Sequence, residues 1–312
     1  MLSLRKTAML QEAGTKLGLH WALECVMFVA VWLACQIAVS VPVAAAGVLG
    51  LLTGQMDPEQ LISNTPDWLM LVSLYSTIFI TVITVMFCLL LQKRRLPSLG
   101  FRGRHALREY LLGGLIGAAL FAAAVGICAC FGAIRLEVSP SALPMGAWLL
   151  FFFGFLIQGM SEEVLCRGYF MPSVARRNPV WLAVLLNSLL FSLLHIFNSG
   201  VTALALLNIF LFGVLLSVYV LRRGDLWGAC AMHSIWNFVQ GNVFGVSVSG
   251  TGTGPSLLHA TFTGSELWTG GAFGLEGGLA VTLALATGLA VLLFLVPDSG
   301  KRTGGTPERA AV

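Results

Sequence analysis

Charged residues are scarce in this chain. Only 10% of its 312 residues are Asp, Glu, Lys or Arg, whereas 57% are hydrophobic, and the mean hydropathy is +0.87. Soluble globular domains carry about 25% charged residues, so this composition excludes an ordinary soluble fold and predicts a polytopic membrane protein. The 18 basic residues lie in short clusters and form no basic face long enough for a duplex, so we expect no nucleic-acid partner.

The chain also lacks a disulfide or metal-knuckle pattern. Each of its seven cysteines falls inside an apolar run and no CxxC pair is present, so they are expected to pack as small hydrophobic side chains. The apolar run from Trp21 to Leu52 is longer than the h-region of a cleaved signal peptide. We therefore expect an uncleaved first membrane span.

Eight apolar runs approach the length of about 20 residues that a membrane-spanning helix needs. They are Trp21 to about Ala44, Trp68 to Leu91, Tyr110 to Phe131, Met145 to about Phe170, Val180 to Phe197, Thr202 to Leu221, Leu226 to about Val246, and Leu279 to Val296. The sequence therefore predicts an all-α fold with eight transmembrane helices in one bundle over residues 19–296. An N-terminal segment, 1–18, precedes the bundle and a polar tail, 297–312, follows it.

Clusters of basic residues occur in alternate connections. They lie before the first span, between Lys93 and Arg108, at Arg176 and Arg177, at Arg222 and Arg223, and at Lys301, Arg302 and Arg309. The opposite connections hold Asp57, Glu59, Asp67, Glu137, Glu266 and Glu276 against the single Arg135. Because Lys and Arg accumulate on the cytoplasmic side, this pattern predicts that both termini are cytoplasmic. Four arginines of the second basic connection are interpreted as topology signals and anionic-lipid contacts: Arg94, Arg95, Arg102 and Arg104.

Glycine marks two regions. Segment 247–278 is rich in Gly, Ser and Thr and has no basic residue, which predicts a flexible outer loop. Gly113 and Gly117 in the third span have GxxxG spacing, which allows close packing against another helix.

Two adjacent carboxylates and an arginine lie deep in the apolar fourth span. Glu163 and Arg167 stand at i and i+4 with the acid on the N-terminal side, the favourable order for an ion pair. Glu162 points about 100° away from that helix face and has no such local partner. We expect Glu163 and Arg167 to neutralise each other and Glu162 to face the bundle interior. The alternative is that all three form an ion cluster at the membrane edge.

Two further spans carry polar pairs at the same spacing. Phe191 and His195 in the fifth span, and His233 and Asn237 in the seventh, each share one helix face. At a rise of about 1.5 Å per residue, Glu162, His195 and Asn237 each lie about 21 Å from the predicted cytoplasmic end of their span, and His233 lies one turn nearer to it. The four side chains could therefore converge on one layer, although either histidine alone would be interpreted as a packed, hydrogen-bonded residue. Asn187, two turns before His195, is expected to make a helix–helix hydrogen bond.

This set of residues has the parts of a hydrolase. A carboxylate desolvated in an apolar cavity becomes a usable general base near neutral pH, and a neutral histidine beside it can orient a water molecule. A second histidine with an asparagine one turn on supplies donors for a developing oxyanion. Together they describe hydrolysis of an amide by water below the membrane surface.

The same residues resemble a known family. Glu162-Glu163-xxx-Arg167, Phe191-xxx-His195 and His233-xxx-Asn237 look like the three motifs of the CPBP/Abi intramembrane proteases, which include the CAAX prenyl endopeptidases of the Ras-converting type. The resemblance covers about Trp148 to Gly245, within a protease-like core at about 145–246. Segment 269–278 also resembles an extension seen in bacterial members.

The resemblance implies a mechanism and a location. Glu162 and His195 would activate the water, His233 and Asn237 would stabilise the oxyanion, and Glu163, Arg167 and Phe191 would support the site. The implied protein is an integral protein of a bacterial plasma membrane whose cavity opens toward the cytoplasm. Its partners would be the lipid bilayer and a peptide or lipidated protein substrate, of CAAX type or of the bacteriocin-processing and self-immunity type.

Metal dependence is left open by the sequence. Glu162, His195 and His233 would supply three zinc ligands and leave an open fourth position, as catalytic zinc sites do. No HExxH pair is present and Asn237 would be a poor zinc ligand, so we favour a glutamate-type hydrolase that requires no cofactor. The sequence motifs typical of rhomboid and presenilin-type proteases are absent.

Two other classes of function are compatible with the same residues. Intramembrane Glu and His are equally typical of transporters, which also show inverted repeats with broken helices; we find no repeat that relates the first four spans to the last four. A catalytically silent immunity or assembly factor could use the same polar set to hold its fold together.

Overall fold

The computed structural model describes residues 7–14, 18–61, 65–103, 105–139, 142–252 and 254–296. Several basic residues of the topology prediction, and the tail 297–312, lie outside these ranges: Arg5, Lys6, Lys16, Arg104, Lys301, Arg302 and Arg309.

The described chain is mainly helical, as predicted. Its α-helices are α1 (Ala8–Ala13), α2 (Trp21–Leu52), α3 (Asp67–Ser76), α4 (Ile78–Met86), α5 (Ala106–Cys130), α6 (Met145–Glu163), α7 (Met171–Ala175), α8 (Val180–Leu193), α9 (Ala203–Arg223), α10 (Trp227–Phe238), α11 (Glu266–Thr269) and α12 (Leu279–Leu295). Short π-helical segments, Phe87–Leu91, Val164–Phe170 and Val239–Val243, extend α4, α6 and α10. Single 3-10 turns lie at Pro58–Leu61, Leu96–Leu99, Gly271–Phe273 and Leu275–Gly277.

Five helical stretches within the described residues are long and apolar enough to cross a membrane. They are Trp21–Leu52, Asp67–Leu91, Ala106–Cys130, Met145–Ala175 and Ala203–Arg223. The other three predicted spans form α8, α10 and α12, of 14, 12 and 17 residues, which are shorter than the roughly 20 residues of a full span. The structure therefore supports an integral membrane protein, while the count of eight spans and the cytoplasmic placement of both termini stay predictions.

Two helices end at residues other than the span limits given above, and for the first helix the sequence left open a kinked continuation to Leu52. The first helix continues through Pro42 to Leu52. A single proline removes one backbone hydrogen bond and can kink a helix without ending it. The fifth span, predicted to reach Phe197, is α-helical only to Leu193. His195 therefore lies in the turn that follows α8.

Segment 247–278, predicted to be a flexible outer loop, contains regular structure. Strand β2 (Leu258–Phe262) pairs antiparallel with β1 (Ile134–Val138), with Ile134 opposite Phe262 and Val138 opposite Leu258. The Trp268 ring stacks on Phe131 with centroids 4.4 Å apart. Hydrophobic side chains spaced along a glycine-rich sequence thus anchor this segment to the bundle.

Close helix contacts centre on α10. A Cβ atom at Gly113 would lie 2.0 Å from Gly228 O, and one at Gly117 would lie 2.3 Å from Met232 O. The close packing expected from the GxxxG spacing is therefore confirmed, and the partner helix is α10. On its other side α10 approaches α6, where a Cβ atom at Gly159 would lie 2.5 Å from Ser234 Oγ.

Arg94 has a structural role that the sequence did not indicate. Its side chain is 6% exposed, and Nη2 donates to Ser98 O at 2.7 Å and to Gly168 O at 2.8 Å, while Nη1 donates to Tyr169 O at 3.1 Å. The interpretation of Arg94 as a lipid contact is wrong, because its guanidinium donates hydrogen bonds to backbone carbonyls of the π-helical segment after Glu163.

Candidate active site

Glu163 and Arg167 form a fully buried ion pair. Arg167 Nη1 lies 2.8 Å from Glu163 Oε1, and neither side chain is exposed. Arg167 Nη2 also donates to Gly213 O at 3.2 Å, and its guanidinium lies 4.4 Å from the centroid of the Phe191 ring. The expected ion pair between Glu163 and Arg167 is therefore present, and the Phe191 ring packs on the guanidinium of the arginine.

Asn187 fixes the same arginine from α8. With its amide oxygen turned toward Arg167, Asn187 accepts from Arg167 Nε at 3.1 Å and donates to Cys166 O at 2.8 Å. The expected helix–helix hydrogen bond is therefore present, and it orients the buried cation.

His233 completes the environment of Glu163. Its Nδ1 lies 2.9 Å from Glu163 Oε1, and because a carboxylate accepts only, the ring nitrogen is the donor. Two aromatic rings meet the imidazole edge to face, Phe191 at 5.9 Å and Phe212 at 5.4 Å between centroids. These contacts fix the ring and direct Nε2 toward Glu162 Oε2, 3.8 Å away.

Glu162 has a different environment from its neighbour. Its side chain is 25% exposed, Oε1 accepts from Gln158 Nε2 at 2.5 Å, and Oε2 has no hydrogen-bond partner among the described residues. Glu162 therefore faces the bundle interior with one oxygen unoccupied, as the 100° rotation between adjacent helix positions predicts.

His195 lies in the turn after α8 and is half-buried. Its Nδ1 donates to Phe191 O at 2.9 Å, which in a neutral ring leaves Nε2 with a free lone pair. Its ring meets that of Phe191 edge to face at 5.1 Å. Although the chain is no longer helical here, the hydrogen bond and ring contact keep the two side chains together.

A small cavity of about 20 Å³, which has room for about one water molecule, borders both histidines. Its polar lining comes from His195, His233, Asn208, Ser249 and Glu276, and aromatic and aliphatic side chains supply the rest. Glu162 and Asn237 do not border this cavity, and within the described chain no hydrogen bond joins Glu162 to His195. The four side chains therefore do not all meet in one place. His233 lies beside Glu162 and also borders the cavity with His195.

A family model described as type II CAAX prenyl endopeptidase Rce1-like matches residues 143–239. This segment runs from the start of α6 to the end of α10 and contains every residue placed above around Glu163. The chain is thus similar to the Rce1-like family over these residues. The match covers about a third of the chain, and no curated protein and no solved structure matches it.

Gln158 is a member of the candidate site that the sequence analysis missed. Its amide donates to Glu162 and accepts from Asn237 Nδ2 at 2.9 Å. Gln158 thereby links Asn237 on α10 to Glu162 on α6. The spacing of four residues between Gln158 and Glu162 could have shown it, since the same spacing identified the other pairs.

Glu276 was also missed, because the sequence analysis counted it only as an acidic residue of an outer connection. It is 8% exposed and lies at the cavity of the Rce1-like segment although it is outside residues 143–239. The glycines around it in segment 269–278 were the available signal.

The three residues that the sequence analysis considered as zinc ligands are not gathered into a metal site. Within the described residues, no group of three or more His, Cys, Asp or Glu side chains is placed so as to hold a metal ion. Glu162, His195 and His233 therefore do not fit a three-ligand zinc site in this arrangement, and the mechanism proposed below contains no step through a metal.

Proposed function

We propose that the protein is an intramembrane endopeptidase of the CAAX type, in which Glu162 activates water for hydrolysis of a peptide bond. One observation carries this proposal: Glu163 is fully buried and takes up both Arg167 and His233, whereas the Glu162 carboxylate beside the His233 ring is 25% exposed and its Oε2 accepts no hydrogen bond from the described residues. A carboxylate with one free oxygen, held by a single amide donor, is suited to accept a proton.

The first step is attack of water on the carbonyl carbon. Glu162 Oε2 takes a proton from the water as its oxygen bonds to the carbon. His195 offers the free lone pair of Nε2 to the second hydrogen of that water and so orients it. The negative charge then develops on the former carbonyl oxygen, and a donor must meet it there.

His233 is the proposed donor, together with Asn237. Nδ1 of His233 already donates to Glu163, so Nε2 can donate only when the ring is protonated. The two carboxylates beside the ring compensate that positive charge. Asn237 lies one turn further along α10 with its amide oriented by Gln158.

The second step breaks the carbon–nitrogen bond. The tetrahedral intermediate collapses, and the proton held by Glu162 passes to the leaving amine nitrogen. The new carboxylic acid and the amine are the products, and Glu162 returns to its ionised form. No other reactant is consumed besides the water.

The proposed substrate is a peptide or a lipidated protein that reaches the site from the bilayer. CAAX-type processing and bacteriocin processing linked to self-immunity are the two candidate roles. We place the reaction on the cytoplasmic side of a bacterial plasma membrane, as the alternation of basic residues along the sequence suggests.

The test is hydrolysis of an internally quenched peptide with a farnesylated cysteine by the purified protein in detergent. We expect Glu162→Gln and His195→Ala each to lower kcat by about 100-fold or more, the usual contribution of a general base. Glu137→Gln, which alters an exposed glutamate of β1, is the matched control and should keep full activity. Hydrolysis that survives Glu162→Gln would contradict the mechanism.

The same assay addresses the metal and the non-catalytic alternative. Rates measured after treatment with a chelator, and again after zinc is added back, should be equal if Glu162 works without a metal. Absence of hydrolysis in every detergent and lipid condition would favour a silent immunity or assembly factor.

A further inference from the structure

An apolar groove runs along α9, between α8 and α12. Both of these helices pack against α9, and the groove has a volume of about 300 Å³, which is at the low end of the range for ligand pockets. Only aliphatic and aromatic side chains of the described residues line it, and they include Trp181, Leu185, Val214, Val218, Leu289 and Leu293. The groove therefore suits a hydrocarbon chain and not a peptide, whose backbone groups would lose their hydrogen-bond partners there.

The length of the groove matches a chain in one leaflet of a bilayer. Phe210 and Val218 both line the groove, and at 1.5 Å per residue they lie about 12 Å apart along α9. One leaflet contributes about 15 Å to the hydrocarbon core of a membrane. An acyl chain that lies parallel to α9 would therefore occupy the groove within a single leaflet.

One end of the groove lies where α8 begins and where α12 ends. Trp181 stands in the first turn of α8 and Leu293 in the last turn of α12. Arg222 joins this end of α12 to α9, because its Nη1 donates to Val296 O at 2.7 Å and its Nη2 donates to Leu293 O at 3.1 Å. The Trp181 side chain is 60% exposed, and tryptophan is enriched at the membrane–water interface. We therefore expect this end of the groove to lie at the level of the lipid headgroups.

Positive charge is available at the same end of the groove. Arg177 precedes Trp181 by four residues in the sequence and is exposed, and no ion pair joins its side chain to another described residue. Lys301 and Arg302 follow α12 in the sequence. Basic residues beside a groove between membrane helices favour lipids with a negative headgroup.

We propose that this groove binds one acyl chain of an anionic phospholipid and that the phosphate of its headgroup contacts Arg177. The chain supplies the apolar contact, and the arginine supplies the preference for a negative headgroup. Arginine suits a phosphate because its planar guanidinium can donate two parallel hydrogen bonds. The groove contains neither Glu162 nor either histidine of the candidate site, so this proposal does not depend on the proposed peptidase function.

The headgroup preference is tested by native mass spectrometry of the purified protein with equal amounts of phosphatidylglycerol and phosphatidylcholine that carry the same acyl chains. For the unaltered protein we expect one retained lipid, with phosphatidylglycerol favoured at least fivefold, the effect of one basic residue near an anionic headgroup. Arg177→Gln should lower this preference about fivefold. Arg135→Gln, which alters an exposed arginine of β1, is the matched control and should leave it unchanged.

The groove itself is tested by Val214→Trp. The Val214 side chain is half-buried and lies in the lining between Phe210 and Val218, so an indole at this position would fill the space of the acyl chain. We expect this variant to retain neither lipid and to lose the rise in melting temperature that phosphatidylglycerol gives the unaltered protein. Leu115→Trp, at a position of α5 that is 68% exposed and outside the groove, should keep both.

Several results would overturn the proposal. Equal retention of the two lipids by the unaltered protein would exclude a preference for negative headgroups, and unchanged retention by Val214→Trp would place the lipid elsewhere. Retention of a farnesylated peptide in preference to phosphatidylglycerol would assign the groove to the lipid of a substrate. A dimer that dissociates in Val214→Trp would assign it to a second copy of the chain.

Discussion

Glu162 and Glu163 are neighbours in the sequence with opposite surroundings. Glu163 is fully buried and receives both Arg167 and His233 on one oxygen, whereas Glu162 is partly exposed and is held by one amide. Adjacent helical positions differ by a rotation of about 100°. The Glu163 side chain therefore points into the buried ion pair, whereas the Glu162 side chain points toward the proposed reaction site.

This difference predicts that Glu163→Gln lowers the stability of the protein more than Glu162→Gln does. Glu163→Gln removes the counter-charge of a buried arginine, and breaking a buried pair from one side costs about 3–5 kcal/mol. We expect thermal unfolding in detergent at a clearly lower temperature for Glu163→Gln than for Glu162→Gln. Equal unfolding temperatures for the two variants would contradict the structural role of Glu163.

Asp225, in the turn between α9 and α10, makes stability depend on pH. Burial, and secondly the charge of Glu109, raise the pKa of Asp225 to about 6 from its ordinary value of 3.8. A group whose pKa is higher in the folded protein contributes stability below its ordinary pKa, and this contribution is lost as the pH rises through the folded value.

Asp225→Asn should remove this dependence. Asparagine keeps an oxygen for the hydrogen bond from Trp227 N, 3.1 Å away in the unaltered protein, but has no charge to desolvate. A shift of about two units corresponds to roughly 3 kcal/mol, so the variant should be more stable at pH 7.5 and show a flatter profile down to pH 4.5. Melting temperatures across this range would measure it, and parallel profiles would show that Asp225 is not responsible.

At the scale of helices, the contact between α5 and α10 positions half of the candidate site. Small residues let the two backbones approach, and α10 carries His233 and Asn237 toward α6. The position of both side chains therefore depends on a helix that has no polar residue in the site.

Gly117→Leu should accordingly disturb the site from a distance. Its Cβ atom would lie 2.3 Å from Met232 O, so α5 must move away from α10 at a cost of about 3 kcal/mol. We expect a lower melting temperature and a large loss of peptidase activity. Gly126→Leu on the same helix, where a Cβ atom meets nothing within 4 Å, is the control and should behave like the unaltered protein.

At the scale of the whole molecule, the charge alternation predicts a definite orientation. Strand β1 and its partner β2 belong to connections without a basic cluster, and they should lie outside the cytoplasm. The basic connection 93–108 and both termini should lie inside it. The active-site cavity would then be reached from the cytoplasm or the bilayer.

Reporter fusions test this orientation. Alkaline phosphatase, which is active only outside the cytoplasm, should be active when inserted after Glu137. Green fluorescent protein fused after the last residue should fluoresce, because it folds only inside. An inactive phosphatase at Glu137 together with a dark C-terminal fusion would mean the inverse orientation.

Local patterns account for what could be predicted. Composition alone indicated a membrane protein, since 57% hydrophobic and 10% charged residues suit no water-facing surface. The pair of Glu163 and Arg167 followed from a spacing of four residues within one helix, and the close approach of α5 followed from Gly113 and Gly117. Each of these features depends on neighbours along the chain.

Contacts between distant segments could not be predicted in this way. That His233 bonds to Glu163, that Arg94 holds the π-helical carbonyls, and that Glu276 lies at the cavity all depend on how helices and the turn at 269–278 pack. The sequence by itself determined the membrane class, the helices and the buried ion pair, because apolar runs and helical spacing are local properties. Only the tertiary structure decided which of the two glutamates receives the hydrogen bond from His233, because that depends on how α10 packs against α6.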